Sequence, residues 1–445
     1  MMRMFRRTQA AVRGIDMKLF PVLITAALAT VAAAQQHTSP TVTMNLMDYS
    51  HECVGHSKSP VCRESFAKAI GDARSFLGAH GNQTYVISIP AGRFDFSDEP
   101  RITDPNSQKV RGVYAIDLSG VNPKDGGRLI IAGAGKDKTT LVTSNYIEAM
   151  HGEGVYHVTV SGITFDRPTM TTTQGAIISA KAGEVTIDVP DGFPTPADIH
   201  NPDPRQMWLR IYTSSKSDPR LVLTPTNKQI GWGATRMPAP VAGSPRRWTV
   251  YFSNAAELPT ADFQPGALLC IKSKKSDQSY LFTGGADFVF DDIRWLQVSR
   301  GAWRGGFTGV QVKNSEVDRS PAIHGQEPCL STPDGGPQIG QPGNPPTHGN
   351  LVENYTADHT GDDSIAFFND DSVPGTPNAS IIRNVKITDS FGRQILLDDS
   401  CGVTVINAKI EGCGPTLPGC PVSRVNGPCT SNINKKLQPH APKAQ

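Results

Sequence analysis

The sequence predicts an all-β chain wound into a right-handed parallel β-helix, and three observations predict it. First, the 445 residues contain 42 Gly and 35 Pro but only 7% aromatic side chains, which favours many short strands joined by turns over a helical bundle. Second, one short apolar pattern with a central Asn-like residue recurs along the chain. Third, the copies are about 22 residues apart, the length of one coil, or farther apart where loops are added.

The repeat reads apolar, any, apolar, any, Asn-like, any, any, apolar. Full copies are Val158–Phe165, Phe288–Trp295, Val310–Val317 and Val403–Ile410, and shorter ones surround Asn354 and Asn384. Side chains at positions 292, 314, 354, 384 and 407 would then stack at one corner, where Asn residues bond one another in a ladder. The alternative is that unrelated strands simply end in Asn turns.

The first 34 residues have the features of a signal peptide. Five basic residues, Arg3 to Lys18, precede an apolar run from Leu19 to Ala34 that closes on small residues. The run is short for a membrane span, so we expect a secreted, extracellular protein with no membrane attachment after cleavage. Met17 begins a complete signal by itself, which leaves the true start open between Met1 and Met17.

Cleavage after residue 34 removes five positive charges and one negative charge, so the formal net charge falls from +2 to −2. A nearly neutral chain argues against nucleic acid as a partner. All eight cysteines follow the predicted signal, and an even count there predicts disulfides. We expect Cys53 to pair with Cys62, and a knot among Cys401, Cys413, Cys420 and Cys429. Sequons at Asn82, Asn354 and Asn378 fit a secreted glycoprotein.

The elements follow in order along the chain. Apolar residues at helical spacing in Arg63–Leu77 predict one amphipathic helix. Strands at 85–89 and 127–133 follow and end in Pro-Ala-Gly and Gly-Ala-Gly. This beginning resembles pectin-lyase-like β-helices, in which such a helix covers the first open edge. Between Phe165 and Phe288 the repeat disappears, and alternating stretches predict a small inserted β-barrel or sandwich that forms one wall of a groove.

The predicted organisation has five parts. They are the signal peptide 1–34, the cap and first coils 35–173, the inserted β-rich subdomain 174–275, the main coils 276–412 with the site, and the Cys-containing tail 413–445.

The segment Gly361-Asp362-Asp363-Ser364-Ile365 carries the strongest chemical signal. Alignment on the Asn column places Ile395 on Ile365, so that Arg393 stacks on Asp363 and Gln394 on Ser364. The preceding loop can be aligned with Gln338-Ile339 under Ser364-Ile365. Asp334, the Asp pair and Arg393 then share one column. Stacked strands about 4.8 Å apart would hold carboxylates at separations of roughly 5–9 Å, which spans the distances used in glycoside hydrolysis.

This segment is similar to the Gly-Asp-Asp of polygalacturonases, whose three-aspartate site an upstream Asp completes. Phe165-Asp166-Arg167-Pro168, followed by a β-rich insert and a return to coils, looks like the β-helical α-1,3-galactosidases. Both resemblances imply an inverting glycoside hydrolase. The chain departs from the polygalacturonase pattern, because the later His-Gly and an Arg-x-Lys clamp are absent.

Carried over to matching positions, the resemblance implies that Asp362 or Asp363 protonates the leaving oxygen. The other, with Asp334, would activate water. The expected substrate-binding residues are Arg393, Gln394, His359, His324, Trp303 and Gln338, with His348 as a further histidine candidate. For the Asp pair the alternative is a structural Asx turn, and for Arg393 a structural salt bridge.

The predicted function is cleavage of a galactose- or galacturonate-type glycan, with an oligosaccharide or polysaccharide as partner and no metal or cofactor. Two alternatives stay open. One is a polysaccharide lyase in which the acidic cluster binds Ca²⁺ and an Arg abstracts a proton. The other is a non-catalytic carbohydrate-binding or adhesive protein, since one scaffold serves both uses. The oligomeric state is not predicted.

Overall fold

The structure is a computed structural model, and the residues it describes all belong to one unit, Ser39–Gln445. They are 40–53, 60–97, 102–103, 110–111, 113–144, 147–181, 183–199, 207–220, 237–251, 263–273, 279–298, 301–400, 402–411 and 422–425. The predicted signal peptide and the four C-terminal cysteines lie outside these residues. Among the residues described, no helix is both long and apolar enough to cross a membrane.

Nearly all regular structure is β. The first part of the chain has two 3-10 turns, Leu46–Asp48 and His51–Cys53, one helix, α1 Pro60–Ala79, and nine strands. These strands are β1 Thr41–Asn45, β2 Thr84–Ile89, β3 Gly92–Phe96, β4 Ile102–Thr103, β5 Val110–Arg111, β6 Val113–Asp117, β7 Arg128–Gly133, β8 Thr139–Thr143 and β9 Ile147–Asp166. Strands β4 and β5 form a small antiparallel pair by themselves.

The middle part contains six strands. They are β10 Thr172–Lys181, β11 Glu184–Asp188, β12 Met207–Tyr212, β13 Ala239–Val241, β14 Ser244–Tyr251 and β15 Leu268–Ser273. The last part contains twelve: β16 Tyr280–Trp295, β17 Ala302–Arg304, β18 Thr308–Lys313, β19 Glu316–Val317, β20 Gln338–Ile339, β21 Leu351–Glu353, β22 Thr356–Asp358, β23 Ile365–Phe368, β24 Ile381–Thr388, β25 Ile395–Asp398, β26 Thr404–Glu411 and β27 Val422–Val425.

Parallel pairing between successive coils builds three faces. Face A stacks β6, the start of β9, the start of β16, β17, β20, β23, β25 and β27. Face B stacks β1, β2, β7, the middle of β9 and β16, β18, β21, and the starts of β24 and β26. Face C stacks β3, β8, the ends of β9 and β16, β19, β22, and the ends of β24 and β26. This is a parallel β-helix; its right-handedness remains a prediction.

The interior consists of columns of apolar side chains, because each strand directs alternate residues inward. The column on face B is Ile131, Val160, Phe290, Val312, Val352, Ile382 and Val405. The column on face C is Phe165, Trp295, Val317, Ala357, Ile387 and Ile410. All these side chains are buried in one core, so a one-residue slip between neighbouring coils would expose them.

The predicted Asn ladder is confirmed at the corner between faces B and C. The Asn354 amide donates to Asn314 at 3.0 Å, Asn384 donates to Asn354 at 3.3 Å, and Asn407 donates to Asn384 at 3.2 Å. Each of the four has a φ of 50–55°, the left-handed conformation that Asn tolerates better than most residues. At Asp292, which shares this conformation, the ladder ends, since Asn314 donates instead to Asp291 at 2.7 Å.

The predicted helix is present as α1, and its apolar face (Phe66, Ala69, Ile70 and Ala73) is buried in the solenoid core. It packs against β2, β3 and β6. Its role as an edge cap remains a prediction. The predicted disulfide Cys53–Cys62 is confirmed.

Strands β10–β15 form one antiparallel sheet in the order β12-β15-β10-β11-β14-β13. It has an apolar cluster of its own, which includes Ile187, Leu209 and Val250. The chain enters it after Asp166 on face C and leaves it before Tyr280 on face A. The sheet is therefore inserted at the corner between faces C and A, where other coils make their turns.

Candidate active site

The turns between faces C and A carry the three candidate carboxylates. Residues 359–364 join β22 to β23, and residues 389–394 join β24 to β25 one coil later. The predicted alignment of these two coils is confirmed, since Ile365 pairs with Ile395. Asp363 and Arg393 therefore lie on neighbouring coils at equivalent positions.

The predicted alignment of the preceding coil is wrong by two residues. Gln338 pairs with Ala366 and Ile339 with Phe367, rather than with Ser364 and Ile365. A shift of two keeps every side chain on the same face of its strand, so the apolar pattern alone could not detect it.

The corrected register brings Asp334 to the level of Asp362. The Gly361 N–H donates to the Asp334 carbonyl at 2.9 Å, and the Gly336 N–H donates to the Asp363 carbonyl at 3.0 Å. The two turns are thus hydrogen-bonded directly to each other. We name the group Asp334, Asp362 and Asp363 the acid corner.

Asp363 is held by the coil that follows it. Its Oδ1 accepts the Arg393 backbone N–H at 2.7 Å, and the Arg393 guanidinium lies 3.6 Å from the same oxygen. The Asp363 side chain is only 9% exposed, whereas that of Arg393 is 47% exposed. These contacts stabilise the ionised form of Asp363 and leave one side of Arg393 open to solvent.

Asp362 is the most exposed member of the acid corner, since Asp334 and Asp363 are buried. Its carboxylate lies over Gly392 of the next coil. A Cβ atom at position 392 would stand 2.7 Å from Asp362 Oδ1, too close for any other residue without a shift. Glycine here makes room for the carboxylate.

The inserted sheet supplies two cations that sequence reasoning missed. Lys272 of β15 donates to the Gly361 carbonyl, and its Nζ lies 4.5 Å from the centre of the Phe391 ring. Arg210 of β12 donates to the Phe391 carbonyl at 3.1 Å and lies 4.6 Å from the same ring. Burial lowers the pKa of Arg210, while the nearby Tyr212 and Asp362 oppose that shift.

The signal that could have identified these cations is a basic residue within an apolar strand. Arg210 lies between Leu209 and Ile211, and Lys272 follows Ile271. Alternation turns each basic side chain away from the sheet's own apolar cluster. A covalent link fixes the same contact, because Cys270 of β15 is bonded to Cys329 in the loop that leads to Asp334.

Two predicted contact residues are corrected because they are buried. Trp303 is 0% exposed, and its ring packs among Tyr280, Phe282 and Phe290, so it offers no face to a sugar. Because the side chains of a strand alternate in direction, Trp303 points into the core on face A, where it pairs with Ile339. His359 is also 0% exposed and contacts the inserted sheet instead of solvent.

The remaining candidates are spread more widely. Gln394 lies next to Arg393 but is 4% exposed, and Gln338 is equally buried on face A, with its amide donating to the Gly340 carbonyl. His324 is exposed beside Gly192 of the inserted sheet's connecting loops. His348 lies at a different corner, between faces A and B, where its ring is 3.2 Å from Asp371.

The described part of the chain contains no group of three or more His, Cys, Asp or Glu side chains arranged to bind a metal ion.

Comparison with known proteins gives matches among solved structures alone. No protein-family profile matches the chain, and no curated protein sequence matches it. The catalytic unit of a thermostable GH87 alpha-1,3-glucanase from Streptomyces thermodiastaticus is 13% identical, with a TM-score of 0.35 over 84% of this chain. An exopolygalacturonase from Thermotoga maritima is 11% identical, with a TM-score of 0.34 over 84% of this chain and 70% of its own.

A pectin methylesterase in complex with a hexasaccharide is 9% identical, with a TM-score of 0.29 over 81% of this chain and 76% of its own. The chain spans 41% of the length of the GH87 alpha-1,3-glucanase structure and 51% of the length of another similar structure, the Agl-KA catalytic domain. The assignment of the fold itself rests on the strand registers of this chain.

Proposed function

We propose that the chain is a secreted glycoside hydrolase that cleaves a galactose- or galacturonate-type glycan by an inverting mechanism at the acid corner. The observation that carries the proposal is the corrected register, which stacks Asp334 against Asp362 on adjacent coils beside Asp363. Adjacent coils are about 4.8 Å apart, so carboxylates on them can lie roughly 5–9 Å apart, and the upper part of this range leaves room for a water molecule.

The contacts of each carboxylate support different roles. Asp363 accepts a hydrogen bond from Arg393 and lies beside its guanidinium, which favours the charged form that a base needs. Asp334 and Asp362 lie at the same level on adjacent coils, and two carboxylates held close together retain one proton more readily than either group alone. Asp362 is the more exposed of the two and is better placed to meet a substrate oxygen.

The proposed reaction follows from these roles. The proton on the Asp334/Asp362 pair moves to the glycosidic oxygen as the bond from that oxygen to the anomeric carbon breaks. Asp363 takes a proton from a water molecule, whose oxygen forms the new bond to the anomeric carbon from the opposite face. The exposed side of Arg393 binds a substrate hydroxyl or carboxylate.

The test is a reducing-sugar screen on plant, algal and animal glycans with matched variants. Asp363→Asn and Asp334→Asn keep the shape of each side chain. At position 362 we choose Asp362→Ala, because Asn there would create the sequon Asn-Asp-Ser. Asp399→Asn, in the exposed turn after β25, is the control.

We expect each acid-corner variant to lose about 10²–10⁴-fold in kcat, since each removes a proton-transfer group, while Asp399→Asn keeps full activity. NMR of the first product should show an inverted anomeric centre. Full activity in both Asp362→Ala and Asp363→Asn contradicts the proposal. An unsaturated, ultraviolet-absorbing product would assign a lyase, and glycan binding without sugar release would assign a carbohydrate-binding protein.

Secretion is part of the proposal. The disulfides Cys53–Cys62 and Cys270–Cys329 support it, because such bonds persist in oxidising compartments. Expression of the full chain in a secreting host should release protein whose N-terminus, read by sequencing, lies near residue 35. Retention of an uncleaved N-terminus within the cell contradicts it.

A further inference from the structure

His359 is a fully buried histidine whose two ring nitrogens both face oxygen acceptors. Its Nε2 lies 2.5 Å from the Pro219 carbonyl, and its Nδ1 lies 2.8 Å from Asp358 Oδ1. A carbonyl oxygen can only accept, so Nε2 must carry a proton. If Asp358 is ionised, its oxygen too can only accept, and Nδ1 must carry a second proton.

The contacts of Asp358 favour its ionised form. Burial raises its pKa, but the contacts with His359 and Arg319 leave the pKa below its usual value. The ion pair with Arg319 favours the ionised carboxylate whatever the charge of His359. Arg319 Nε donates to Asp358 at 2.6 Å. The geometry of these hydrogen bonds therefore describes a buried imidazolium between acceptors.

Charged groups from every neighbouring element surround the His359 ring, and together they balance the positive charge of the imidazolium. Asp389, which is 1% exposed, lies 3.6 Å from Nε2 and 3.8 Å from Arg220. Arg220 and Arg319 both contact Asp218. The neutral Tyr212 ring stacks on the imidazole at 6.1 Å, and burial, followed by the charge of Asp389, raises the Tyr212 pKa above its usual value.

These contacts join three parts of the site through one residue. Pro219 and its neighbours belong to the loop that follows β12 of the inserted sheet. His359 directly precedes the turn 360–364 that carries Asp362 and Asp363. Its carbonyl accepts the Ser331 N–H at 2.9 Å, in the loop that leads to Asp334.

We propose that His359 is a positioning residue, a doubly protonated imidazole that fastens the inserted sheet to the acid corner and fixes the turn that presents Asp362 and Asp363. It touches no substrate. The catalytic part of this inference rests on the proposed function, whereas the fastening of the sheet does not.

The variant His359→Gln keeps a donor that can reach Pro219 but cannot carry the charge or bond to Asp358. The matched control is His157→Gln. His157 has a similar left-handed φ, 54° against 51°, and its Nδ1 lies 2.8 Å from Asp287, but it is on coils remote in sequence from the turn 360–364. The cost of Gln in that backbone conformation is thus common to both variants.

Two measurements on the full-length protein test the fastening. In nitrogen-15 NMR at pH 7, the His359 signals, assigned by their loss in His359→Gln, should show both ring nitrogens protonated. Hydrogen exchange should speed up at least tenfold at 207–220 and 360–364 in His359→Gln and stay unchanged there in His157→Gln. One unprotonated ring nitrogen, or unchanged exchange at both segments, overturns the proposal.

The catalytic part has its own readout. On a substrate found by the glycan screen, His359→Gln should lower kcat with little change in KM, and His157→Gln should change neither. Unchanged kcat would refute the positioning role. If no glycan is cleaved, the hydrolase assignment fails while the NMR and exchange results still decide the fastening.

Discussion

Arg210 shows how a single residue of the inserted sheet can act on the acid corner. Its guanidinium is half-buried beside Asp362 and Phe391, where a positive charge favours the ionised carboxylate. Removal of the cation should therefore make the acid corner easier to protonate.

We expect Arg210→Met to move the alkaline limb of the kcat/KM profile to higher pH, since Asp362, the proposed proton donor, loses its cationic neighbour and keeps its proton to higher pH. The measurement is a pH–rate profile on a cleaved glycan. The control is Arg247→Met, which removes an arginine that pairs with Asp188 at 2.6 Å elsewhere on the same sheet. If the alkaline limb lies at the same pH in Arg210→Met and in the wild type, Arg210 has no effect on the protonation of Asp362.

Asp358 gives a prediction about stability and pH. Its pKa in the folded protein is below the value of about 3.9 expected when unfolded, despite burial, because of His359 and Arg319. A lowered pKa stabilises the fold above the unfolded value, and this stabilisation is lost as the pH falls through the folded value.

Asp358→Ala should thus cost about 3–5 kcal/mol at pH 7, where it leaves His359 without its partner, and clearly less near pH 2. Urea unfolding of both proteins at the two pH values measures the difference. Alanine is used because Asn at 358 would create a sequon with Thr360. A difference that stays constant with pH would contradict the ionised pair.

At the scale of the elements, the Asn ladder combines a backbone preference with hydrogen bonds between coils. Asn384 has a φ of 55°, donates to Asn354 and accepts from Asn407. Alanine loses both bonds and also meets the left-handed penalty, whereas glycine loses the bonds alone.

We expect Asn384→Ala to lower the free energy of unfolding by about 2–4 kcal/mol, and Asn384→Gly by about 1–2 kcal/mol less than that. Chemical unfolding of the three proteins measures both costs. Equal losses in the two variants would assign the whole effect to the hydrogen bonds and none to the backbone.

At the scale of the whole molecule, the bond Cys270–Cys329 ties the inserted sheet to the solenoid across a separation of 59 residues. Replacement of both cysteines by serine should lower stability by about 2–4 kcal/mol, largely because the unfolded chain gains freedom. Urea unfolding measures this, and replacement of Cys53 and Cys62, which are 9 residues apart, should cost less. A larger loss of stability on removal of Cys53–Cys62 than on removal of Cys270–Cys329 would contradict this expectation.

Much of the scaffold could be predicted from the sequence because it depends on local, repeated patterns. The helix face at Phe66 and Ile70, the Asn corner, and the pairing of Ile365 with Ile395 all follow from periodicity. Where a long loop separates two coils, as before Gln338, periodicity fixes the face of each residue but not its partner.

The placement of the three candidate carboxylates in adjacent turns was predicted for the same reason. Asp334, Asp362 and Asp363 share a corner as the stacking of coils requires. The burial of Trp303 and His359, and the approach of Arg210, depend on how the inserted sheet and the core pack. Such contacts join residues far apart along the chain, and no single-sequence pattern encodes them.

The position of the inserted sheet has a consequence for how this scaffold can diversify. The coils on either side of it stack directly, with Ser161 opposite Asp291 and Phe165 opposite Trp295, as though the intervening segment were not there. Recombination at this junction can lengthen, trim or exchange the segment while both flanking coils keep their hydrogen bonds. Because Arg210 and Lys272 come from this segment, such an exchange would also change the cations that lie beside the acid corner.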